Sequence, residues 1–221
     1  MVNFENIKSL PAVVPLFPLR GAVLLPRATL PLHVFETKYK SLVEDVIDSH
    51  SFVGLVQPIE SEIEAPPTKT AFFKSGSLGR IVSTGELEED RMLVVVSGVC
   101  RFEIIQELKD AKKDYRQAIV NYDRYSFDLV EESDIGIDRG SLLSALKKYF
   151  HGQDIIPDWD EIDKVSNEKL ITALAMVCPF EANERQALLE APTLKDQSQT
   201  ITTLLEMASI SSTASDSVLH H

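Results

Sequence analysis

Apolar residues dominate positions 11–36, PAVVPLFPLRGAVLLPRATLPLHVFE, and prolines interrupt them at 11, 15, 18, 26 and 31. Proline has no N–H to give to a ladder, so this stretch predicts short strands at sheet edges, broken by tight turns. At Thr37, a candidate N-cap, the period changes. Phe35, Tyr39, Leu42, Val43, Val46 and Ile47 recur at helical spacing, with Lys38, Lys40, Glu44, Asp45 and Asp48 on the opposite face. Residues 51–56 predict a strand. Periodicity is lost over 57–77, where Glu60, Glu62, Glu64, Pro66 and Pro67 precede Phe72 and Phe73; a loop of about 20 residues inside a domain is functional or mobile. Alternation of period two returns at 78–84, 92–96, 100–104 and 118–122, with a turn at 88–90 and Gly98 as punctuation. Several short strands with little helix predict a small barrel or sandwich.

Beyond residue 127 the pattern turns helical. Leu142, Leu143, Leu146, Tyr149 and Phe150 form one face, and Leu170, Ile171, Leu174 and Val177 a second that stops before Pro179. Leu188 and Leu189 belong to a third segment ending at Pro192. Thr193 with Asp196 resembles a capping box, opening a helix that buries Leu194, Ile201, Leu204, Leu205 and Ala208. The expected organisation is therefore α+β: a β domain with one amphipathic helix over 1–126, a helical bundle over 127–208, and a Ser-rich, fraying tail over 209–221.

Charge sharpens this division. The chain of 221 residues carries a net −12. The segments 1–50, 51–125 and 126–221 carry 0, −2 and −10, so the acidity belongs to the helical part. A nucleic-acid binder needs a basic footprint to neutralise phosphates, and this chain offers none; solubility accounts for the acidic excess. Neither a signal-like N-terminus nor an apolar run of membrane-spanning length is present, so a cytoplasmic protein without a membrane partner is expected. Cys100 and Cys178 form no CxxC, and they read as buried small hydrophobes in a reducing compartment.

Catalytic signatures are missing. No Gly-Lys dipeptide occurs, which excludes the GxxxxGK[ST] phosphate loop, and GxSxG, HExxH, GxGxxG and the EF-hand pattern are also missing. His33, His50 and His151 lie far apart. Asp154, Asp158, Asp160 and Asp163 around Trp159 miss the calcium-loop spacing and read as a solvated helix start. Ser75 and Ser77 beside Lys74 read as a polar turn rather than a Ser/Lys nucleophile. No enzyme, metal or cofactor is expected.

The ordered blocks PLFPLRGAVLLPRATLPLHVFE with Lys38-Tyr39, FVGLVQP (52–58), GRIV (79–82), SGVCRF (97–102), Tyr115-Arg116 and QALLE (186–190) resemble the N-terminal domain of Lon proteases over roughly residues 12–208. Each block is weak by itself; five or more in order are specific. The resemblance implies a PUA-like β-barrel followed by a helical bundle. It also implies a role in recognising unfolded or tagged polypeptides and in supporting assembly, with a weak homo-oligomer compatible with it. The ATPase and Ser/Lys peptidase domains of full-length Lon find no counterpart in these residues.

A non-catalytic polypeptide-binding module follows as the expected function, an adaptor in protein quality control serving a separate protease or chaperone. The candidate peptide-binding residues are Phe17, Leu19, Leu25, Leu32 and Phe35 along the proline-broken edge, Arg20 and Arg27 flanking it, and Phe72 and Phe73 after the Pro-Pro loop. A strand edge can accept an extended peptide by strand addition. The alternatives are an RNA-binding PUA-like protein, which the acidity opposes, and a small-ligand-binding regulator, to which no residue set points.

Overall fold

A computed structural model describes residues 6–59, 70–88, 90–108, 112–130, 136–153 and 155–218. Its first unit, residues 1–131, is built on one six-stranded sheet. The elements in order are β1 (Val13–Pro18), β2 (Thr29–Val34), α1 (Thr37–Ile47), β3 (Phe52–Val56), β4 (Ser75–Leu87), β5 (Arg91–Leu108) and β6 (Gln117–Asn121). The strand order is β2-β5-β4-β3-β1-β6, and β6 pairs again with β5. The pairings thus run in a ring through β5, β4, β3, β1 and β6, with β2 attached outside it.

The length of β5 makes the ring possible. Its first part pairs with β2 and β4, and its last part, from Glu103 to Leu108, pairs with β6. The two short strands expected at 92–96 and 100–104 are one element, because bulges near Gly98 and Ile105 bend the strand without breaking it. Gly98 is required by close approach. A Cβ there would lie 2.1 Å from the Leu25 carbonyl oxygen, so the 23–28 turn can cross the strand only over a glycine. Inside the ring, Val14, Leu16, Leu78, Cys100, Phe102, Ala118 and Tyr125 are buried together. Burial pushes the Cys100 thiol well above its ordinary range, in keeping with a packing role.

The prolines do not behave as expected throughout. β1 is not a sheet edge: residues 13–15 pair with β6 and residues 16–18 with β3. Each half bonds mainly on one flank, which is how an interior strand tolerates Pro15 and Pro18. Of the proline-bearing strands only β2 is an edge. Similarly, Ser75 and Ser77 are buried in β4 rather than set in a polar turn, and the Ser75 hydroxyl lies 3.0 Å from that of Tyr125. Residues 60–69 and Glu89, assigned above to a loop and a turn, lie outside the described residues.

Residues 132–221 form the second unit. It comprises α2 (Arg139–Gly152), α3 (Trp159–Lys164), α4 (Asn167–Val177), α5 (Ala182–Glu190) and α6 (Leu194–Val218). α6 packs against α2, α4 and α5 and buries Leu194, Ile201 and Leu205. Thr193 and Asp196 form the reciprocal cap read from the sequence: the Asp196 N–H donates to Thr193 Oγ1 and the Thr193 N–H to the Asp196 carboxylate, each at 3.1 Å. α6 continues to Val218, through the Ser-rich stretch from 209 where a fraying tail is expected. Val177, expected on the apolar face of α4, is 80% exposed at that helix's end.

Candidate functional site

The outer edge of β2 can be read from one pair of bonds. Gly98 donates to the Ala28 carbonyl (2.8 Å) and accepts from the Arg27 N–H (2.9 Å), so its peptide groups face the β2 side. Alternation along an antiparallel pair then turns Val96, Val94 and Met92 toward Leu30, Leu32 and Val34. Thr29, Pro31 and His33 direct their backbone groups away from β5. No strand lies beyond them among the described residues. Pro31 has no N–H, so the outward row offers donors at 29 and 33 with a gap between them. A proline at this place is a natural guard against indiscriminate pairing.

At the end of this edge the chain enters α1. Phe35 is 66% exposed, although periodicity puts it on the buried face of the helix; that face begins only at Leu42, with Val43 and Val46. Thr37 is the first residue of the helix and not its cap; Glu36 occupies that position without a side-chain bond. The Glu36 carboxylate instead pairs with Lys38 at 2.8 Å, and the Lys38 ammonium stands 4.6 Å from the centre of the Tyr39 ring. The Tyr39 ring lies 4.7 Å from that of Phe17. Burial pushes the Tyr39 phenol up, against the opposing pull of Lys38. The surface at the β2–α1 corner is thus one exposed aromatic ring beside a carboxylate and an ammonium, with half-buried Tyr39 resting on buried Phe17.

The other candidates are dispersed. Phe17, Leu25 and Leu32 are buried and belong to the core. Leu19 is half-buried, and its N–H donates to the Val56 carbonyl at 2.8 Å; Arg20 is exposed just beyond it. Arg27 is not a loose flanking charge, since its guanidinium donates to the Asp128 carbonyl at 2.6 Å and its backbone takes a positive φ of 63°. Phe72 is half-buried and forms an isolated bridge with Pro58, and the Phe73 N–H donates to the Gln57 carbonyl at 3.0 Å.

Two clusters carry no local sequence signal. The Arg116 guanidinium stacks 3.8 Å over the Phe72 ring and makes a bidentate pair with Glu107. Asp45 of α1 accepts from the Lys113 ammonium and the Tyr115 hydroxyl, both at 2.7 Å. Each joins residues far apart in the chain; Phe72 stood out beforehand as a candidate and Tyr115-Arg116 as a block of the family resemblance, but not their pairing. Among the described residues no three His, Cys, Asp or Glu side chains gather to hold a metal ion, and no helix is long and apolar enough to cross a membrane. The available chemistry is that of a surface for contact: one open aromatic ring, paired charges and an unoccupied strand edge.

Comparison with known proteins agrees in fold and in family. The solved Lon N-terminal domain protein from Xanthomonas campestris superposes with a TM-score of 0.61 at 20% identity, over 86% of this chain and 97% of that one. The N-terminal domain of a Mycobacterium avium complex Lon protease gives 0.59 at 17% identity. These likenesses establish the α+β architecture. In sequence, Lon protease 2 of Myxococcus xanthus is 28% identical over 93% of this chain, and a Lon protease of Anaeromyxobacter dehalogenans is 26% identical over 93%. The chain spans only 24% of the length of either protease. The model of the ATP-dependent protease La (LON) substrate-binding domain matches residues 13–207, most of the chain, which therefore belongs to that family.

Proposed function

We propose that this chain binds polypeptides without cutting them, and that it presents unfolded or tagged clients to a separate protease or chaperone. The observation that carries the reading is Phe35, 66% exposed where the outer strand of the sheet enters α1. An aromatic ring is a large, stiff apolar anchor at low entropic cost. Beside it, the Thr29, Pro31 and His33 edge offers backbone groups to an extended chain, and Glu36 and Lys38 offer one charge of each sign. Buried Phe17 supports the start of α1 through its contact with Tyr39. Half-buried Leu19, Phe72 and Phe73, with exposed Arg20, are further positions a long client could reach. Membership of a substrate-binding family supports polypeptides as the class of guest. The acidity supports them over RNA.

Titration with a reduced, carboxymethylated protein that stays unfolded tests this. Saturable micromolar binding is expected, weakened about tenfold by Phe35→Ala, the scale of an aromatic anchor. Binding that never saturates, or that ignores Phe35→Ala, overturns the reading. ATP hydrolysis or peptide cleavage by the purified chain, abolished by one substitution within it, overturns its non-catalytic part.

A further inference from the structure

The sheet has a second open edge. Pairing of β3 with β4 ends at Phe52 and Arg80, and the Ile81 N–H closes it by donating to the Ser51 carbonyl at 2.8 Å. β4 nevertheless continues to Leu87, paired with β5 on one side. On the other side no strand lies beside residues 82–87 among the described residues, and all six are exposed. The alternation that orients β2 orients this segment too. Val95, Leu93 and Arg91 turn toward β4, so Ser83, Gly85 and Leu87 take the ladder bonds. Thr84 and Glu86 direct both their N–H and C=O groups outward.

This edge differs from that of β2 in its donors. It contains no proline, so its outward donors are uninterrupted. Like β2 with Thr29 and Val34, it carries two β-branched residues suited to pairing, Val82 and Thr84. The sheet face over Gly85 is open, since a Cβ there would meet nothing within 4 Å. Its charge selects the guest. Glu86 stands on the outward row, and exposed Glu88 and Asp90 follow at the tip, Asp90 being paired with Lys40. Exposed Arg91 stands across from Leu87 on β5, and half-buried Arg80 precedes the edge. A second copy of this strand, VSTGEL, brings no Lys or Arg of its own to meet Glu86. A guest strand with Lys or Arg opposite Glu86 would instead form a favourable cross-strand pair.

We propose that the outer edge of β4, from Val82 to Leu87, takes up an extended Lys- or Arg-bearing polypeptide segment as an added strand. This rests on the polypeptide-binding reading above and places part of the guest on a different strand from β2. The test uses a short labelled peptide alternating Lys with Val and Thr, its Glu counterpart, and the full chain. Anisotropy measures affinity, and amide hydrogen exchange locates the contact. The basic peptide is expected to bind and to slow exchange at Thr84 and Glu86 about tenfold, while the Glu peptide does not bind. Thr84→Pro, which removes an outward donor and leaves the β5 ladder intact, and Glu86→Lys each weaken binding about tenfold. Glu206→Lys, the same charge change at an exposed position of α6, leaves it unchanged. Circular dichroism checks the fold of Thr84→Pro, and Glu86→Lys tests the same edge without a backbone change. Equal binding of both peptides, protection at Thr29 and His33 instead, or indifference to Glu86→Lys overturns the proposal. If an unfolded client still binds through Phe35 in those cases, only the β4 assignment falls; if it does not bind, the broader reading falls as well.

Discussion

Each unit buries one arginine, and each does so differently. Arg101 of β5 is 1% exposed and meets a carboxylate equally buried: its Nη2 and Nε donate to Asp128 at 2.7 and 3.0 Å. Its own backbone N–H also donates to Asp128 at 2.8 Å, and its guanidinium lies 4.6 Å from the Tyr125 ring centre. Arg185 of α5 is 7% exposed and meets backbone, donating to the carbonyls of Phe180, Cys178 and Met176 at 2.8, 2.9 and 3.3 Å. The first arrangement joins β5 to a segment 27 residues away, to which Arg27 adds a bond from 101 residues away. The second closes the end of α4 from residues five to nine positions distant. A sheet whose strands pair out of order must be fastened by distant groups. A helical unit can satisfy its polar ends locally, with orphan carbonyls as acceptors.

The largest expected effect breaks the first fastening. Asp128→Ala leaves a buried guanidinium without its carboxylate, a change that costs about 3–5 kcal/mol when a buried pair loses one member. The single tryptophan, Trp159, reports on the helical unit, and four of the five tyrosines, at 39, 115, 122 and 125, report on the sheet unit. In urea, the tyrosine near-ultraviolet signal should lose its transition at far lower denaturant while the Trp159 fluorescence transition stays in place. Replacing both partners, Arg101→Met with Asp128→Leu, should restore most of the loss, because two apolar groups leave no stranded charge. If the single and double variants are equally unstable, the pair is not what fastens the segment.

Arg185→Met should act on the other unit and by less. It strands carbonyls at the end of α4, and losing a charged donor's hydrogen bonds costs about 1.5–3 kcal/mol. The Trp159 transition should shift and the tyrosine transition hold. A shift of both transitions together would show that the units unfold as one and would end the comparison. Near Arg185, burial pushes the Cys178 thiol to about 11, so it stays protonated through the measurement.

The contrast also explains what could be read from the chain. Contacts set by neighbours in sequence were legible: the faces of α2 and, short of Val177, of α4, the Thr193–Asp196 cap, and the alternation in β6. The class of fold and the ordered family blocks were legible for the same reason, being runs of local pattern. Long-range polar contacts were not. Nothing near Arg101 announces Asp128, and nothing near Arg116 announces Phe72 or Glu107, since a hydrogen bond leaves no period in the sequence. Phe35 misled because a helical period cannot say where a buried face begins. The prolines misled in β1 because an absent N–H shows that one flank goes without a bond, not that the whole strand lies at an edge. At the candidate site the exposed ring was present in the candidate segment; that Phe17, Leu25 and Leu32 are buried in the core depended on packing.

The smallest expected effect concerns the exposed counterpart of these fastenings, Asp45 with Lys113 and Tyr115. The hydrogen bonds from Lys113, and then from Tyr115, hold the Asp45 carboxyl below its ordinary value. A depressed folded-state value means that ionised Asp45 favours the folded chain. That contribution is complete above the ordinary carboxylate value, about 4, and is lost as the pH falls through the lower folded value. Asp45→Asn should therefore lower the midpoint of thermal unfolding, read by tyrosine dichroism, modestly at neutral pH, and the two proteins should converge on acidification. Salt should narrow the gap at neutral pH, because an exposed pair is screened where the buried Arg101–Asp128 pair is not. A gap that stays constant down to the lowest pH would assign the effect of Asp45 to its neutral hydrogen bonds and remove charge from its role.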